Sequence, residues 1–460
     1  MVILTPNIYY NMDCFPEVVS DLVECNINRV LLMTNTAVKS KTKHILSTLV
    51  ASDIKVEILV IRESDANVLI TALSQMKAFC PDCIIGLGGG HCMDIIKVLR
   101  VLYEDPGTVL KSLAVGTTIN NENIAWKRAQ LHRKGTLIKK LICIPTTCGS
   151  GSEATSTAIL RNDEGRHVIV SGIAFLPDIS IVDCSYIVGI PRFIASITGI
   201  RALLHCLEAH VSAMASDYSR SMSIQAAKIL FTKLVPSIKS QSIPLLNDIH
   251  KAASITGLAI GATDFGLGTV LTRSFSEIFG LPHGLIDGIV IKHVLIFNAN
   301  RDPQARRCLC NIIKCLGLSN TRDDEDSYSD IFILLDLLDN ILKNLLFPHS
   351  VKSIPQSILE YSKYGWFEGD RKQNRESSWK SCLNETIVPE EHFLRDIPLF
   401  SKSSIVSNIE ESIFRKNLDR MVQRALNDAA ILTNPVTIQP SDIIELLENI
   451  WEGKCEDLQF

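Results

Sequence analysis

The stretch Cys83-Ile84-Ile85-Gly86-Leu87-Gly88-Gly89-Gly90-His91-Cys92-Met93-Asp94-Ile95-Ile96-Lys97 decides the reading of this chain. It opens as an apolar run of strand type, turns on three consecutive glycines, and resumes at helical spacing with Asp94 and Lys97 on the helix. Glycines after a strand let the backbone approach a pyrophosphate closely. The helix that follows presents free N–H groups and the positive end of its dipole. A triple glycine also suits an ordinary strand-to-helix turn, so a second signal is needed. Ile144-Pro145-Thr146-Thr147-Cys148-Gly149-Ser150-Gly151-Ser152-Glu153 provides it: again a strand, then interleaved hydroxyls and glycines. Such a loop supplies hydroxyl and backbone donors to a phosphate or a ribose. Two glycine-rich loops at the carboxyl ends of parallel strands imply a ligand crevice at the sheet edge.

Working outward, strand-type runs recur at RVLLMT (29–34), KVEILVI (55–61), LICIPTT (141–147) and ISIVD (179–183). Amphipathic stretches lie between them, at Val38–Ser52 and Ala66–Phe79. Alternation of this kind predicts a parallel sheet with helices on both faces. From Pro191 onward long helical periodicity takes over, as in Gly199–Met214, Ser219–Leu234 and Lys251–Ile260. The expected architecture is therefore an α/β nucleotide-binding domain over residues 1–188 and an all-α domain over 189–460, with polar surface loops at Thr321–Asp330 and Phe367–Glu385.

Composition excludes several classes. The 460 residues are 46% apolar and 21% charged with a net charge of −4, and no long Lys/Arg run is present, so nucleic-acid binding has no electrostatic footprint. The most hydrophobic stretch, Ile331–Phe347, is interrupted by Asp336, Asp339 and Lys343, which suits a buried helix rather than a membrane span. The start, MVILTPNIYYNMDCF, lacks the basic and apolar regions of a secretory signal. Fourteen cysteines sit mostly in apolar surroundings, which suits a reducing cytoplasm. Cys80-x-x-Cys83 and Cys308-x-Cys310-x4-Cys315 have no second pair to complete a zinc site and read as structural.

These residues reach a family resemblance. GGGHCMDIIK resembles the GGGSxxDxAK loop of iron-type (group III) alcohol dehydrogenases, and IPTTCGSGSEAT resembles that family's TTSGTGSEVT. LPDISIVD, TGIRALLHCLEAHVS, GLPHG and HVLIFNAN follow in the family's order, over roughly residues 4–453. The similarity runs nearest to the alcohol dehydrogenase half of bifunctional aldehyde–alcohol dehydrogenases. The resemblance implies a dehydroquinate-synthase-like fold, NAD or NADP as cofactor, and a divalent metal, iron or zinc, between the two domains. It assigns Asn35, Gly88, Gly89, Gly90, His91, Asp94, Lys97, Thr146, Thr147 and Ser150 to the cofactor. It implies a small alcohol or aldehyde substrate, and a homo-oligomer or association with a related dehydrogenase; neither nucleic acid nor membrane is a partner.

The pattern breaks at the metal. Of the ligands the family implies, His205 and His283 remain, but the Asp one helical turn before His205 is replaced by Arg201. At ~4 Å and an effective dielectric of 20, that guanidinium opposes a divalent ion by on the order of 8 kcal/mol. The remaining ligand position falls on Leu271 when aligned through Leu267-Gly268, or on Thr269 when counted back from His283; its companion falls on Phe275 or Arg273, and none of these is His. Asn35 stands where an NAD-preferring member has Asp, which weakens discrimination against a 2′-phosphate. Three readings stay open: a catalytically impaired member acting through association, a non-standard dehydrogenase in which Arg201 is the catalytic charge, and a metal enzyme using other ligands such as His210 or His293.

Overall fold

The computed structural model describes residues 4–61, 66–105, 137–161, 167–319, 328–355 and 410–459, and the chain divides into two compact units after Ile190. In the first unit, β1 (Asn7–Tyr9), β2 (Arg29–Asn35), β3 (Lys55–Ile61), β4 (Cys83–Gly88), β5 (Lys140–Pro145) and β8 (Ile179–Ile181) form one parallel sheet in the order β1-β8-β5-β4-β2-β3. Helices α1 (Phe15–Glu24), α2 (Thr42–Ala51), α3 (Ala66–Phe79) and α4 (Gly90–Glu104) alternate with its strands. The alternating direction of side chains along a strand explains why the central strands are apolar throughout. Val30, Leu32, Ile85, Leu87, Ile142 and Ile144 pack on one face with α1 and α2 residues, and Leu31, Met33, Ile84, Leu141 and Cys143 on the other with α3 and α4 residues.

The strand order reverses beside β2. From there the chain goes outward to β3 and then returns to lay down β4, β5 and β8 on the other side. Asn35 ends β2 and Gly88 ends β4, so both stand at the reversal, where an open α/β sheet leaves a crevice. Gly88 pairs in register with Pro145, which brings the two glycine loops out of neighbouring strands side by side.

Four elements depart from expectation, the first being the edge strand β1, which pairs with β8 and lies outside the expected strand-type runs. The Val38–Ser52 helix is split into a 3-10 turn, Thr36–Lys41, followed by α2, because the Asn35 side chain accepts a hydrogen bond from the Val38 amide and caps the tighter turn. A hairpin of β6 (Thr157–Arg161) and β7 (His167–Ser171) follows the second glycine loop, unanticipated by the strand pattern. The loop expected at Thr321–Asp330 ends early, since a helix starts at Tyr328; residues 320–327 and the Phe367–Glu385 loop lie outside the described residues.

The second unit is helical throughout its described residues: α5 (Arg192–Val211), α6 (Asp217–Ser240), α7 (Ile243–Thr263), α8 (Leu267–Phe279), α9 (His283–Arg301), α10 (Pro303–Leu316), α11 (Tyr328–Asn344), α12 (Glu411–Asn427) and α13 (Pro440–Glu452), with short 3-10 turns. Helix α5 is almost wholly buried and packs against α6, α7, α8 and α9. At Gly284 a Cβ would lie 2.0 Å from the Ile197 carbonyl oxygen, so the start of α9 touches the α5 backbone and the register between these helices is set there. Helix α8 stops at Gly280, whose φ of 65° is the left-handed cap conformation that glycine adopts without strain. Cys308, Cys310 and Cys315 sit on α10, and no cysteine of the described residues is disulfide-bonded. No single described helix is long and apolar enough to cross a membrane.

Candidate functional site

In the first unit the two glycine loops touch. The Thr146 amide donates to the Gly88 carbonyl at 2.9 Å. A Cβ on Gly90 would fall 2.5 Å from Ser150 Oγ, and one on Gly89 would stand 3.4 Å from the Thr147 methyl. Gly90 is therefore required for the loops to close on each other, whereas a Cβ on Gly89 would make ordinary contact. Helix α4 starts from Gly89 with no side chain capping it, and the Cys92 and Met93 amides turn back to the Gly89 carbonyl at 3.0 and 3.3 Å. His91 sits exposed in that first turn, and Asn35, half-buried, has its Nδ2 3.6 Å from the place of a Gly88 Cβ. Its Oδ1 is committed to the Val38 amide, which leaves the amide nitrogen as the donor facing the crevice. Gly88, Gly89, Gly90, Asn35, Thr146, Thr147 and Ser150 are thus brought together.

Asp94 and Lys97 point beneath the loop. Lys97 is 0% exposed, and its Nζ donates to Ser152 O at 2.6 Å, Ser152 Oγ at 2.8 Å, Thr157 O at 2.8 Å and Thr155 Oγ1 at 3.2 Å. Ser152 Oγ in turn donates to Asp94 Oδ1 at 2.5 Å. Burial pushes the Lys97 pKa below the usual lysine range, and the Asp94 carboxylate pulls it back. One turn further along, Arg100 donates to Asp178 at 2.8 Å and to the Ala174 and Leu176 carbonyls at 2.5 Å. Ser152, Thr155, Arg100 and Asp178 escape a reading of the sequence. The signal for them is the burial of two cations three residues apart in an apolar helix, which demands partners from elsewhere.

In the second unit, Arg201 and His205 lie one turn apart on α5. Arg201 Nη1 meets Asp287 Oδ2 of α9 at 3.1 Å; Asp287 is 0% exposed and Arg201 13%. Burial raises the Asp287 carboxyl pKa, and the guanidinium opposes that rise. His205, 1% exposed, packs against Phe265 with ring centroids 5.1 Å apart and planes tilted by 59°, and its Nε2 has no hydrogen-bond partner among the described residues. Burial, then the charges of Arg201 and Arg273, push its pKa well below the usual imidazole range, so it is neutral. His283 sits half-buried in the first turn of α9.

Helix α8 lays one stripe against these groups. Thr269 donates to Glu208 of α5 through its amide at 2.9 Å and its hydroxyl at 2.6 Å. Arg273 lies over the Phe265 ring at 4.9 Å and pairs with Asp428 at 2.7 Å. Phe275 instead stacks on Phe279 and Phe414. Of the two alignments, the one through Thr269 and Arg273 places its residues beside α5, whereas Leu271 is about 200° further around the helix. His210 pairs with Ser223 at 2.9 Å, and His293 lies 3.9 Å from Cys455 Sγ, so each is engaged away from His205. Asp287 and Glu208 are the residues sequence reasoning missed; an Asp inside the apolar run GLIDGIV, four residues beyond His283, is the one visible hint.

A catalytic divalent ion takes three protein ligands or more. Among the described residues no three His, Cys, Asp or Glu side chains lie close enough together to hold one. The position one turn before His205 carries a guanidinium already paired with a buried carboxylate, and the donor set does not fit the metal.

Comparison with known proteins accounts for both units. Residues 5–184 match the family profile described as iron-containing alcohol dehydrogenase, and residues 195–345 match that of the Fe-containing alcohol dehydrogenase family, C-terminal. The chain is 30% identical over 368 residues to the bifunctional aldehyde-alcohol dehydrogenase AdhE of Escherichia coli strain K12, a match spanning 76% of this chain and 40% of that protein. It is also 30% identical over 254 residues to the 1-propanol dehydrogenase PduQ of Citrobacter freundii, covering 55% of this chain and 61% of that one. The chain therefore spans less than half the length of the bifunctional relative. An iron-containing alcohol dehydrogenase from Thermococcus thioreducens shares the fold with a TM-score of 0.74 at 21% identity, over 98% of this chain and 100% of that one. A sulfoacetaldehyde reductase from Bifidobacterium kashiwanohense, solved in complex with NAD+, gives 0.68 at 16% identity over 98% of each chain.

Proposed function

Because the chain belongs to the iron-containing alcohol dehydrogenase family, we propose that it is a catalytically impaired member, a pseudoenzyme that keeps nucleotide binding and has lost metal-dependent alcohol oxidation. One observation carries this reading: the Arg201–Asp287 ion pair stands where a metal ligand is required. The crevice fits a dinucleotide. The backbone of Gly88–Gly90 and the first turn of α4 would hold the pyrophosphate, with Thr146, Thr147 and Ser150 as hydroxyl donors and Asn35 at the ribose. A bound nicotinamide supplies hydride acceptance or donation. The role that remains is association, with further copies of the chain or with a related active dehydrogenase. The alternative, in which Arg201 replaces the metal as an oxyanion partner, is disfavoured because Asp287 already neutralises the guanidinium.

The test is metal content, nucleotide binding and NAD(P)-linked oxidation of short-chain alcohols, measured on protein purified without chelator. The expected result is substoichiometric metal, calorimetric binding of NAD(H) and NADP(H) with little preference, and no turnover. One tightly bound metal per chain would overturn the reading. Turnover by the metal-free chain that Arg201→Ala abolishes would establish the alternative instead.

A further inference from the structure

We propose that Lys97 and Asp94 are positioning residues, a clamp beneath the crevice that holds the second glycine loop against the first and on which nucleotide affinity depends; this rests on the nucleotide-binding reading above. An ammonium has three protons to donate. Those of Lys97 are taken up by the Ser152 and Thr157 carbonyls and by the hydroxyls of Ser152 and Thr155, all on the segment that leaves the second loop. No proton is left over for a ligand, and the side chain is completely buried. Asp94 closes the clamp from the same helix by accepting from Ser152 Oγ.

The clamp reaches the crevice through a short chain of contacts. The Ser152 amide donates to Ser150 Oγ at 3.3 Å, and Ser150 Oγ fills the space where a Gly90 side chain would begin. Ser150 is thus held between the loop that Lys97 anchors and the glycine that opens α4. Gly151, between the two serines, has a φ of 62°, a left-handed conformation that glycine adopts without strain and that lets the loop turn between them. Removing the ammonium takes the shortest donor from each of two buried carbonyls, leaving Thr155 as the remaining donor, through its amide to Ser152 O at 3.1 Å and its hydroxyl to Thr157 O at 3.3 Å, so the segment loses most of what fixes it to α4.

The experiment compares the parent with Lys97→Met, Ser152→Ala and a control, Phe414→Leu, in an aromatic stack of the helical unit. Amide hydrogen exchange is followed over residues 149–157 and over β2 and β4, alongside calorimetry with NAD(H) and NADP(H). The clamp variants should exchange about tenfold faster over 149–157 with β2 and β4 unchanged, and bind nucleotide about tenfold more weakly. Phe414→Leu should lower the melting temperature without moving either readout. Should Lys97→Met not fold, Ser152→Ala carries the comparison. Unchanged exchange over 149–157, or nucleotide affinity falling only as far as in Phe414→Leu, overturns the proposal. If the parent binds no nucleotide, the nucleotide-binding reading fails and takes the affinity half of the proposal with it, while the exchange arm still decides whether the clamp exists.

Discussion

Arg201 and Asp287 differ in how much water reaches them, and that asymmetry decides what each substitution does. Breaking a buried ion pair is costly mainly through the charge left behind. Asp287 has no exposure, so Arg201→Ala strands a carboxylate that water cannot solvate; Arg201 keeps 13%, so Asp287→Asn leaves a guanidinium that water can partly reach. Arg201→Ala is expected to lose about 3–5 kcal/mol, and Asp287→Asn clearly less, in urea unfolding at neutral pH. The reverse order would mean that the pair is not the buried contact seen here. Glu208 gives a second residue-scale expectation. Burial raises its pKa from 4.5 to about 6, against the pull of the two Thr269 hydrogen bonds. A carboxyl whose folded-state pKa lies above the unfolded value binds protons more readily when folded. Its contribution is therefore complete below pH 4.5 and is lost as pH rises through 6. The parent should lose on the order of 2 kcal/mol of stability across that window, and Glu208→Gln should flatten the profile. A parent whose stability rises across it would show that Glu208 is held ionised instead.

Elements carry the contacts that no single residue explains, and the closure of the two glycine loops is one of them. Gly90→Ala places a methyl 2.5 Å from Ser150 Oγ and 2.6 Å from its Cβ. The loops must part, and nucleotide binding should weaken about tenfold or more while the melting temperature shifts little. Ser150→Gly removes both atoms the methyl meets, leaving Ser152 Cβ next at 3.9 Å, so the double variant should recover affinity beyond Gly90→Ala alone. Calorimetry of the three variants checks it; additive losses would show that the loops do not meet here. Strands β2, β3, β4, β5 and β8 and the helix Ala66–Phe79 were legible because their periods are local and continuous, whereas the three-residue β1 was too short to be read. The triple glycine marked the end of β4 for the same reason. What escaped depended on distant partners. Nothing near Lys97 in the chain announces Ser152 and Thr157, which lie 55 and 60 residues away. The β6–β7 hairpin reads weakly because its strands are short and sit beyond a loop whose glycines draw the eye to the nucleotide. The ambiguity between Leu271 and Thr269 is a one-dimensional problem that a helix resolves at once. Only one of the two falls on the stripe shared with Phe265, Thr272 and Arg273, and Thr269 is the one bonded to α5.

At the scale of the whole molecule, a ligand that binds only the folded state raises stability by mass action, and the melting temperature reports which ligands the chain still takes. The parent should melt higher with NAD(H) or NADP(H), by roughly 2.7 kcal/mol at a hundredfold excess over Kd, and should ignore both chelator and added Fe²⁺ or Zn²⁺. The decisive comparison restores ligands in the register seen here. Arg201→Asp removes the opposing guanidinium, puts a carboxylate one turn before His205, and leaves Asp287 as a buried acid in want of a cation. Thr269→His adds an imidazole from the α8 stripe that faces α5, at the cost of the hydrogen bonds Thr269 makes to Glu208. Combined, they supply a second imidazole and a carboxylate beside His205, the kind of set an iron or zinc site needs. This double variant should take up one Fe²⁺ or Zn²⁺ per chain and melt higher with metal than with chelator. Arg201→Asp with Leu271→His, which differs only in the face of α8 that carries the histidine, should show neither. If both double variants bind metal alike, the helical register described here is not what separates this chain from a metal site. If the unaltered chain already melts lower in chelator, the metal was never lost, and the Arg201–Asp287 pair must open to admit it.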